Sequence, residues 1–478
     1  VVFSLFAAVA ARGSLSLAPG DWGMAYFSDN QFLNQLSLNG LYTLMKTVQE
    51  IGNSTQYQLS TDEEAIEKVQ EVFHSSGDSL VDSGGIRRIS GRSTQSEFAA
   101  GRYNVVVIVL ESWAKRFVSA YGEVEGTTPC FDSLMAENIL FDKYFASGSR
   151  SVNGLTAILF GFPTAPGRSI MKRYMANKPY MSVAQSLEPY DYSTMFLYGG
   201  DISFDNMGGS FRDAGFDRVM GQESFDDSLS IGKWGVPDGP VFQRLLAEID
   251  TMPRPFCASM FTLTSHDPFD LPEDYTPIME ITDRETGFLA TIHYSDSCLG
   301  EFFKQARKEA WFDSTIFIFT ADHGVSVKSQ FMLDPRRYEI SGGMILPPKL
   351  DEYVIDSLNL NPRLETPASQ TDILPSLYDL LGLSVEHRSH GASMFDTTRT
   401  GLAVIGKSRT IALCTGDSMF VYDIDSDTQF LLVEKEKAWI EADFLRKDCE
   451  IVTKYNTLKR IMQFAIFEMG NHEIAGDI

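Results

Sequence analysis

The chain has 478 residues, 44% hydrophobic and 22% charged, and 64 acidic against 40 basic side chains give a net charge of −24. At roughly 150 residues per domain this length implies two or three domains of ordinary globular composition. So acidic a chain is no general binder of nucleic acid or of anionic membranes, whose footprint is basic. An anionic substrate would need a local cation, and a bound metal would supply one. Cys130, Cys257, Cys298, Cys414 and Cys449 are scattered with no C-x-x-C pair, which is neither a disulfide framework nor a zinc site. Cys257 and Cys298 lie in apolar runs and read as small core residues.

The opening run "VVFSLFAAVA" (1–10) is shorter than the ~20 residues a membrane span needs. It also lacks the basic start of a signal peptide. It reads as the remnant of a transmembrane helix, with a buried N-terminal helix as the alternative. Residues 11–100 read as a helical and loop linker. Phe32, Leu33, Leu36, Leu38, Leu41 and Leu44 recur at near-helical spacing, a helix is expected from Thr61 to Phe73, and a polar loop follows.

From residue 101 the texture changes. "NVVVIVL", "STMFLYGG", "FCASMFTLT" and "STIFIFTAD" are continuous apolar runs of the kind buried on both faces of a parallel sheet. Between them lie the helical patterns "TPCFDSLMAENI", "VFQRLLAEIDTM" and "ATIHYSDSCLGEFFKQARKEA". This alternation predicts an α/β catalytic domain over 101–400, a doubly wound, mostly parallel sheet flanked by helices. Ligands of such sheets bind beyond the carboxyl ends of the strands. Over 401–478, "TIALCTG", "SMFVYDI", "QFLLVEK" and "KAWIEADF" predict a small antiparallel meander, followed by a helix from about Ile451 to Glu468.

Charged residues follow two of the buried runs. Glu111 comes directly after "NVVVIVL", and Asp322, His323 and Gly324 follow "TIFIFTA". A carboxylate after a strand is often only a helix cap, but carboxylates with an imidazole also form a common divalent-metal site. Ser151, at the start of the apolar helix in "YFASGSRSVNGLTAIL", reads either as a helix cap or as a nucleophile. A metal held by Glu111, Ser151, Asp322 and His323 would lower the pKa of its hydroxyl. The same ion would offset charge on an attacked phosphoryl group.

The motifs "NVVVIVLES", "SGSRSVNGL", "SHDPF", "HYSDSCLGEFF" and "TADHG" occur here in an order that resembles the lipoteichoic acid synthase and phosphoglycerol transferase branch of the alkaline phosphatase/sulfatase superfamily. The resemblance runs from about Asn104 to Gly391. It implies an alkaline phosphatase/sulfatase-like fold and one divalent cation, manganese foremost with magnesium or zinc as alternatives. The cation would be held by Glu111, Ser151, Asp322 and His323, with Ser151 standing where the family commonly has threonine. It further implies His266 beside the substrate phosphate, against the alternative of a loop-capping histidine, and Asp201 as a substrate contact, against a turn-forming aspartate. Arg150 reads as a phosphate partner or as an exposed helix-start arginine. The family's Trp and Arg after "GD" are missing from "ISFDNMGG", which leaves the lipid head group open. Trp234, His293 and His390 read as packing or structural residues.

The activity so implied is transfer of glycerophosphate from a phospholipid, phosphatidylglycerol foremost, through a seryl intermediate to a glycan or polyol-phosphate acceptor. The enzyme would be anchored in the cell membrane with its catalytic domain outside the cytoplasm. Sulfatase chemistry needs C/S-x-P-x-R, and Ser151 is followed by Val-Asn-Gly-Leu. Phosphoethanolamine transfer, phosphodiester hydrolysis and an inactive lipid- or glycan-binding sensor are the alternatives.

Overall fold

The computed structural model describes residues 57–74, 77–81, 85–90, 103–122, 124–167, 169–172, 181–329, 331–357, 360–436, 438–443 and 448–471. The expected membrane-helix remnant at 1–10 and the helical stretch around 32–44 lie outside the described residues.

The central sheet has eight strands: β1 (Asn104–Leu110), β2 (Ile139–Phe141), β3 (Ser193–Tyr198), β4 (Arg218–Met220), β5 (Phe256–Phe261), β6 (Thr315–Ala321), β7 (Gly342–Ile345) and β8 (Arg363–Leu364). Their order is β8-β2-β7-β6-β1-β5-β3-β4. Only β7 runs antiparallel, against both β6 and β2. Strands β1, β5 and β6 are buried along their whole length, as their unbroken apolar runs require. The short β2, β7 and β8 carry no comparable run, and the sequence pattern does not announce them.

Helices Asp62–Phe73 (α1), Pro129–Met135 (α2), Ser151–Phe160 (α3), Asp238–Thr251 (α4), Arg284–Ala306 (α5) and Cys449–Asn471 (α6) are the ones that matter below. The first turn of α2 is held from a distance, because Asp296 of α5 accepts from the backbone N–H groups of Cys130 and Phe131, both at 2.8 Å. That fixes the buried carboxylate of Asp296 as a structural clamp.

The C-terminal part is a five-stranded antiparallel sheet in sequential order: β9 (Ala403–Lys407), β10 (Thr410–Cys414), β11 (Ser418–Asp423), β12 (Thr428–Lys435) and β13 (Ala438–Ala442). The sequence pattern predicts four of these strands and misses β9. Helix α1, read from sequence as part of a linker, has a different place. Its Ala65, Val69 and Phe73 are buried in one apolar cluster with Leu458, Ile461 and Met462 of α6 and Ile411, Leu413 and Phe420 of the sheet. Gln463 fastens the same contact, accepting from the Leu59 N–H and donating to Asp62. The segment before the catalytic domain therefore completes the core of the C-terminal sheet.

Candidate active site and metal centre

Strands β1 and β6 pair in parallel with Leu110 opposite Ala321, so Glu111 and Asp322 leave the sheet side by side at its carboxyl edge. Glu111 turns back at once. The next residue, Ser112, has φ 62°, a left-handed conformation that a non-glycine residue rarely adopts and that clusters at functional sites. That turn lets the Ser112 N–H donate to Asp322 Oδ1 at 2.8 Å and its hydroxyl donate to Glu111 Oε1 at 2.6 Å. The Glu111 N–H donates to Thr262 Oγ1 at 2.8 Å.

His323 completes the group. Its Nδ1 lies 2.8 Å from the Gly324 carbonyl, which can only accept, so Nδ1 carries the proton and Nε2 keeps a lone pair. That lone pair faces Asp322 Oδ2 at 3.3 Å and Glu111 Oε1 at 3.9 Å. One ligand atom each from Glu111, Asp322 and His323 fall within 4.8 Å of one another. Asp322 Oδ2 is buried with no hydrogen-bond donor. Burial first, and then the Asp322 carboxylate, push the Glu111 carboxyl well above the ordinary carboxylate range. Two buried carboxylates with an unsatisfied oxygen and an imidazole lone pair form a donor set that fits a divalent cation.

Ser151 is the first residue of α3, but it is not the cap. Arg150 occupies the N-cap position with extended geometry and makes no side-chain cap bond. The Ser151 hydroxyl instead points to Glu111 Oε2 at 3.4 Å. The helix reaches so close because of Gly154: a Cβ there would meet the Asp322 carbonyl oxygen at 2.1 Å. Gly161, with φ 65°, ends the same helix. Gly154→Ala must push α3 off the Asp322 backbone. We expect it to lower stability by roughly 1–3 kcal/mol and to depress activity with Ser151 intact; thermal unfolding and an activity assay check both.

One supporting residue is invisible in the sequence pattern. Gln370, fully buried, donates from Nε2 to the carbonyls of Ala321 and Asp322, both at 2.7 Å. Its Oε1 accepts from the Ser147 N–H at 2.9 Å. It ties the strand end bearing the carboxylate to the loop bearing the serine.

The other expected site residues fall into two groups. His266 lines the same cleft of about 540 Å³ as Glu111 and His323. Its Nδ1 faces the Asp267 carbonyl at 3.0 Å, and burial lowers its pKa below the ordinary imidazole value. The ring of Trp234 lies against it with centroids 4.1 Å apart, so this tryptophan packs on the site rather than elsewhere in the core. Arg150 and Asp201, like Ser151 and Asp322, are not among the residues lining the cleft. The Arg150 side chain is 63% exposed and sits 3.9 Å from Asp205, which also pairs with Lys172. Asp201 accepts from the Ser203 N–H at 2.9 Å and its hydroxyl at 2.7 Å, the geometry of a turn-forming aspartate. The cations that line the cleft are Arg116, Arg284, Lys328 and Arg337, none of which lies in a motif. His390 is buried against Glu468 of α6, and His293 bonds the Tyr275 hydroxyl at 2.6 Å.

A mostly parallel sheet carries a buried Glu-Asp-His cluster at its carboxyl edge, with a serine at the neighbouring helix start, an arrangement that suits an enzyme of the phosphotransferase and hydrolase type. A family model described as Sulfatase matches residues 103–383, and the chain belongs to that family. Lipoteichoic acid synthase 1 of Bacillus subtilis is 26% identical over 237 residues, which are 47% of this chain and 36% of that protein. The chain thus spans well under half the length of this relative. Among solved structures, a protein in the alkaline phosphatase superfamily from Vibrio parahaemolyticus superposes with a TM-score of 0.76 at 23% identity, covering 87% of this chain and 98% of that one. The lipoteichoic acid synthase LtaP from Listeria monocytogenes gives 0.68 at 18% identity, over 85% and 98%. Both likenesses bear on the fold.

Proposed function

We propose that the chain is a metal-dependent phosphoglycerol transferase with Ser151 as nucleophile. The observation that carries this reading is the Ser151 hydroxyl aimed at Glu111 within the Glu111–Asp322–His323 cluster. Glu111, Asp322, His323 and the Ser151 hydroxyl would hold one divalent cation, manganese foremost. When bound, it lowers the pKa of that hydroxyl and offsets charge on the phosphoryl group.

The rest is the work of the chain's own groups. The Ser151 oxygen attacks the phosphorus of a phosphatidylglycerol head group. The new Ser–O–P bond forms as the bond to diacylglycerol breaks, and the proton given up by the Ser151 hydroxyl is balanced by the one the departing lipid alkoxide takes up, so diacylglycerol leaves neutral. The free N–H groups at the start of α3 add positive potential where the phosphoryl oxygens would lie. An acceptor hydroxyl, from a glycan or a polyol-phosphate chain, then displaces the serine. The likeness to lipoteichoic acid synthase 1 supports this donor and acceptor, and supports action at the outer face of the cell membrane. Among the described residues no helix is long and apolar enough to cross a membrane.

His266 suits the second displacement better than the first. Its Nδ1 proton faces a carbonyl, so Nε2 is the position that gains or loses a proton. The lowered pKa keeps Nε2 free at neutral pH, ready to accept from the acceptor hydroxyl. Activity should therefore hold at neutral pH and fall as pH drops below the ordinary imidazole value of about 6.5 through the lowered one. The rate–pH profile of His266→Gln should be lower and lack that acidic limb. An unchanged limb in the variant would remove His266 from the proton path.

The donor is tested with fluorescent phosphatidylglycerol and phosphatidylethanolamine, each with manganese or with chelator. Metal-dependent release of diacylglycerol from phosphatidylglycerol in preference is the expected result. Preferential cleavage of phosphatidylethanolamine would convert the assignment to phosphoethanolamine transfer.

A further inference from the structure

We propose that Trp439, on the last strand of the C-terminal sheet, is a positioning residue for the metal centre. It holds Glu339, and through Glu339 a segment, 337–341, that is bonded to all three loops bearing Glu111, Ser151 and the Asp322–His323 pair. The inference rests on the metal-centre reading above and not on the identity of the substrate.

Segment 337–341 runs directly into β7 and meets each loop through its backbone. Towards the loop after Glu111, the Lys115 N–H donates to the Glu339 carbonyl at 3.1 Å, and the Ser341 N–H donates to the Trp113 carbonyl at 3.0 Å. Towards the serine loop, the Ala146 N–H donates to the Tyr338 carbonyl at 2.7 Å. The Ile340 N–H donates to the Tyr144 carbonyl at 3.1 Å on the same side. Towards the strand end bearing Asp322 and His323, the Ala321 N–H donates to the Ser341 carbonyl at 3.0 Å. A Cβ on Gly324 would meet the Arg337 carbonyl oxygen at 2.2 Å, so the segment also lies directly on the residue after His323.

The cluster needs such a holder for an electrostatic reason. Glu111 and Asp322 are both buried, their carboxylates repel each other, and the His323 Nε2 lone pair faces both. Without a cation the three groups do not attract one another, so their loops have to be held from outside the cluster.

The C-terminal sheet reaches the segment from its other side. Tyr338 is buried in an apolar cluster with Ile405, Ala412, Met419 and Trp439 of that sheet. Trp439 Nε1 donates to Glu339 Oε1 at 3.0 Å, and an indole N–H can only donate. Apolar packing is non-directional and sets how closely sheet and segment approach. The hydrogen bond sets where along the sheet Glu339 sits.

The test titrates manganese into the full chain and into Trp439→Phe, which keeps a ring in the cluster and removes the donor. We expect the affinity to fall about tenfold, the low end for groups that orient metal ligands. Glu339→Ala should match it, and Glu339→Gln should stay near wild type because its amide oxygen still accepts. Trp439→Phe combined with Glu339→Ala should be no worse than either alone, since both remove one interaction. Leu413→Ala reports a merely structural effect: it loosens the same sheet from its opposite face, towards α1 and α6. It should lower the unfolding temperature and leave manganese affinity unchanged. Wild-type affinity in Trp439→Phe and Glu339→Ala, or an equal loss in Leu413→Ala, would overturn the proposal. If Trp439→Phe does not fold, Glu339→Ala against Glu339→Gln carries the comparison.

Hydrogen exchange in chelator reads the same linkage without metal. Peptides covering Lys115 and Ala146 should exchange on the order of fivefold faster in Trp439→Phe, the effect of one lost hydrogen bond, with β1 and β5 unchanged. A wild type that takes up no manganese, with exchange still accelerated in the variant, would refute the metal centre and leave the hold on the loops standing. Exchange that is not accelerated would overturn that hold.

Discussion

Ser151→Ala abolishes turnover, by roughly 10⁴-fold or more on the scale of other nucleophile deletions, while the protein keeps its fold and most of its metal. The expectation follows from position. Ser151 makes no capping bond, so its hydroxyl contributes little to helix α3. Among the described residues its hydroxyl bonds Glu111 alone, at 3.4 Å. The three other ligand atoms stay gathered without it. Diacylglycerol release and metal content measured on the same preparation separate the roles. Full activity in Ser151→Ala would assign the nucleophile elsewhere; loss of metal in step with activity would make the serine a ligand first.

Glu111→Ala and His323→Ala lose both metal and activity. Changing groups that merely orient metal ligands costs 10–100-fold in affinity, so removing a direct ligand should cost more than roughly 100-fold. Glu111 adds a signature that activity does not. In chelator, its carboxyl is held well above the ordinary range by burial and by Asp322. The native state then binds a proton that the unfolded chain has released. Stability of the metal-free protein should therefore fall as pH rises from the ordinary carboxylate range through the raised value. Glu111→Gln should flatten that slope, and added metal should raise the unfolding temperature of the wild type but not of the variant. Thermal scans across pH, with and without chelator, provide the check.

What the sequence disclosed follows from which signals are local. Strands β1, β5 and β6 are buried on both faces, so their apolar runs stand out, and Glu111, Asp322 and His323 are marked by following them. Ser151 was legible as a choice between cap and nucleophile, and the geometry of Arg150 removes the cap. Arg150 and Asp201 stand at motif positions; in the structure Arg150 lies 3.9 Å from Asp205, and Asp201 accepts from the Ser203 N–H. Strand β7 begins with two glycines and lies between β6 and β2; no apolar run announces it. Gln370 acts through contacts far apart in sequence, which periodicity does not encode. The same holds for α1, whose apolar face is amphipathic in sequence while its partner, α6, lies nearly 400 residues away.

The acidic surface also acquires a meaning. A net charge of −24 would repel anionic substrates, but the cleft itself is lined by Arg116, Arg284, Lys328 and Arg337. Cations gathered in one cleft favour the approach of an anion there over the rest of an acidic surface.

The most direct measurement is the intact mass of the chain after incubation with phosphatidylglycerol and manganese in the absence of an acceptor, followed by peptide mapping. One added glycerophosphoryl group is expected on the peptide containing Ser151, absent with chelator and absent in Ser151→Ala. Metal-dependent diacylglycerol release with no covalent adduct at Ser151, under conditions that trap the intermediate, would contradict it.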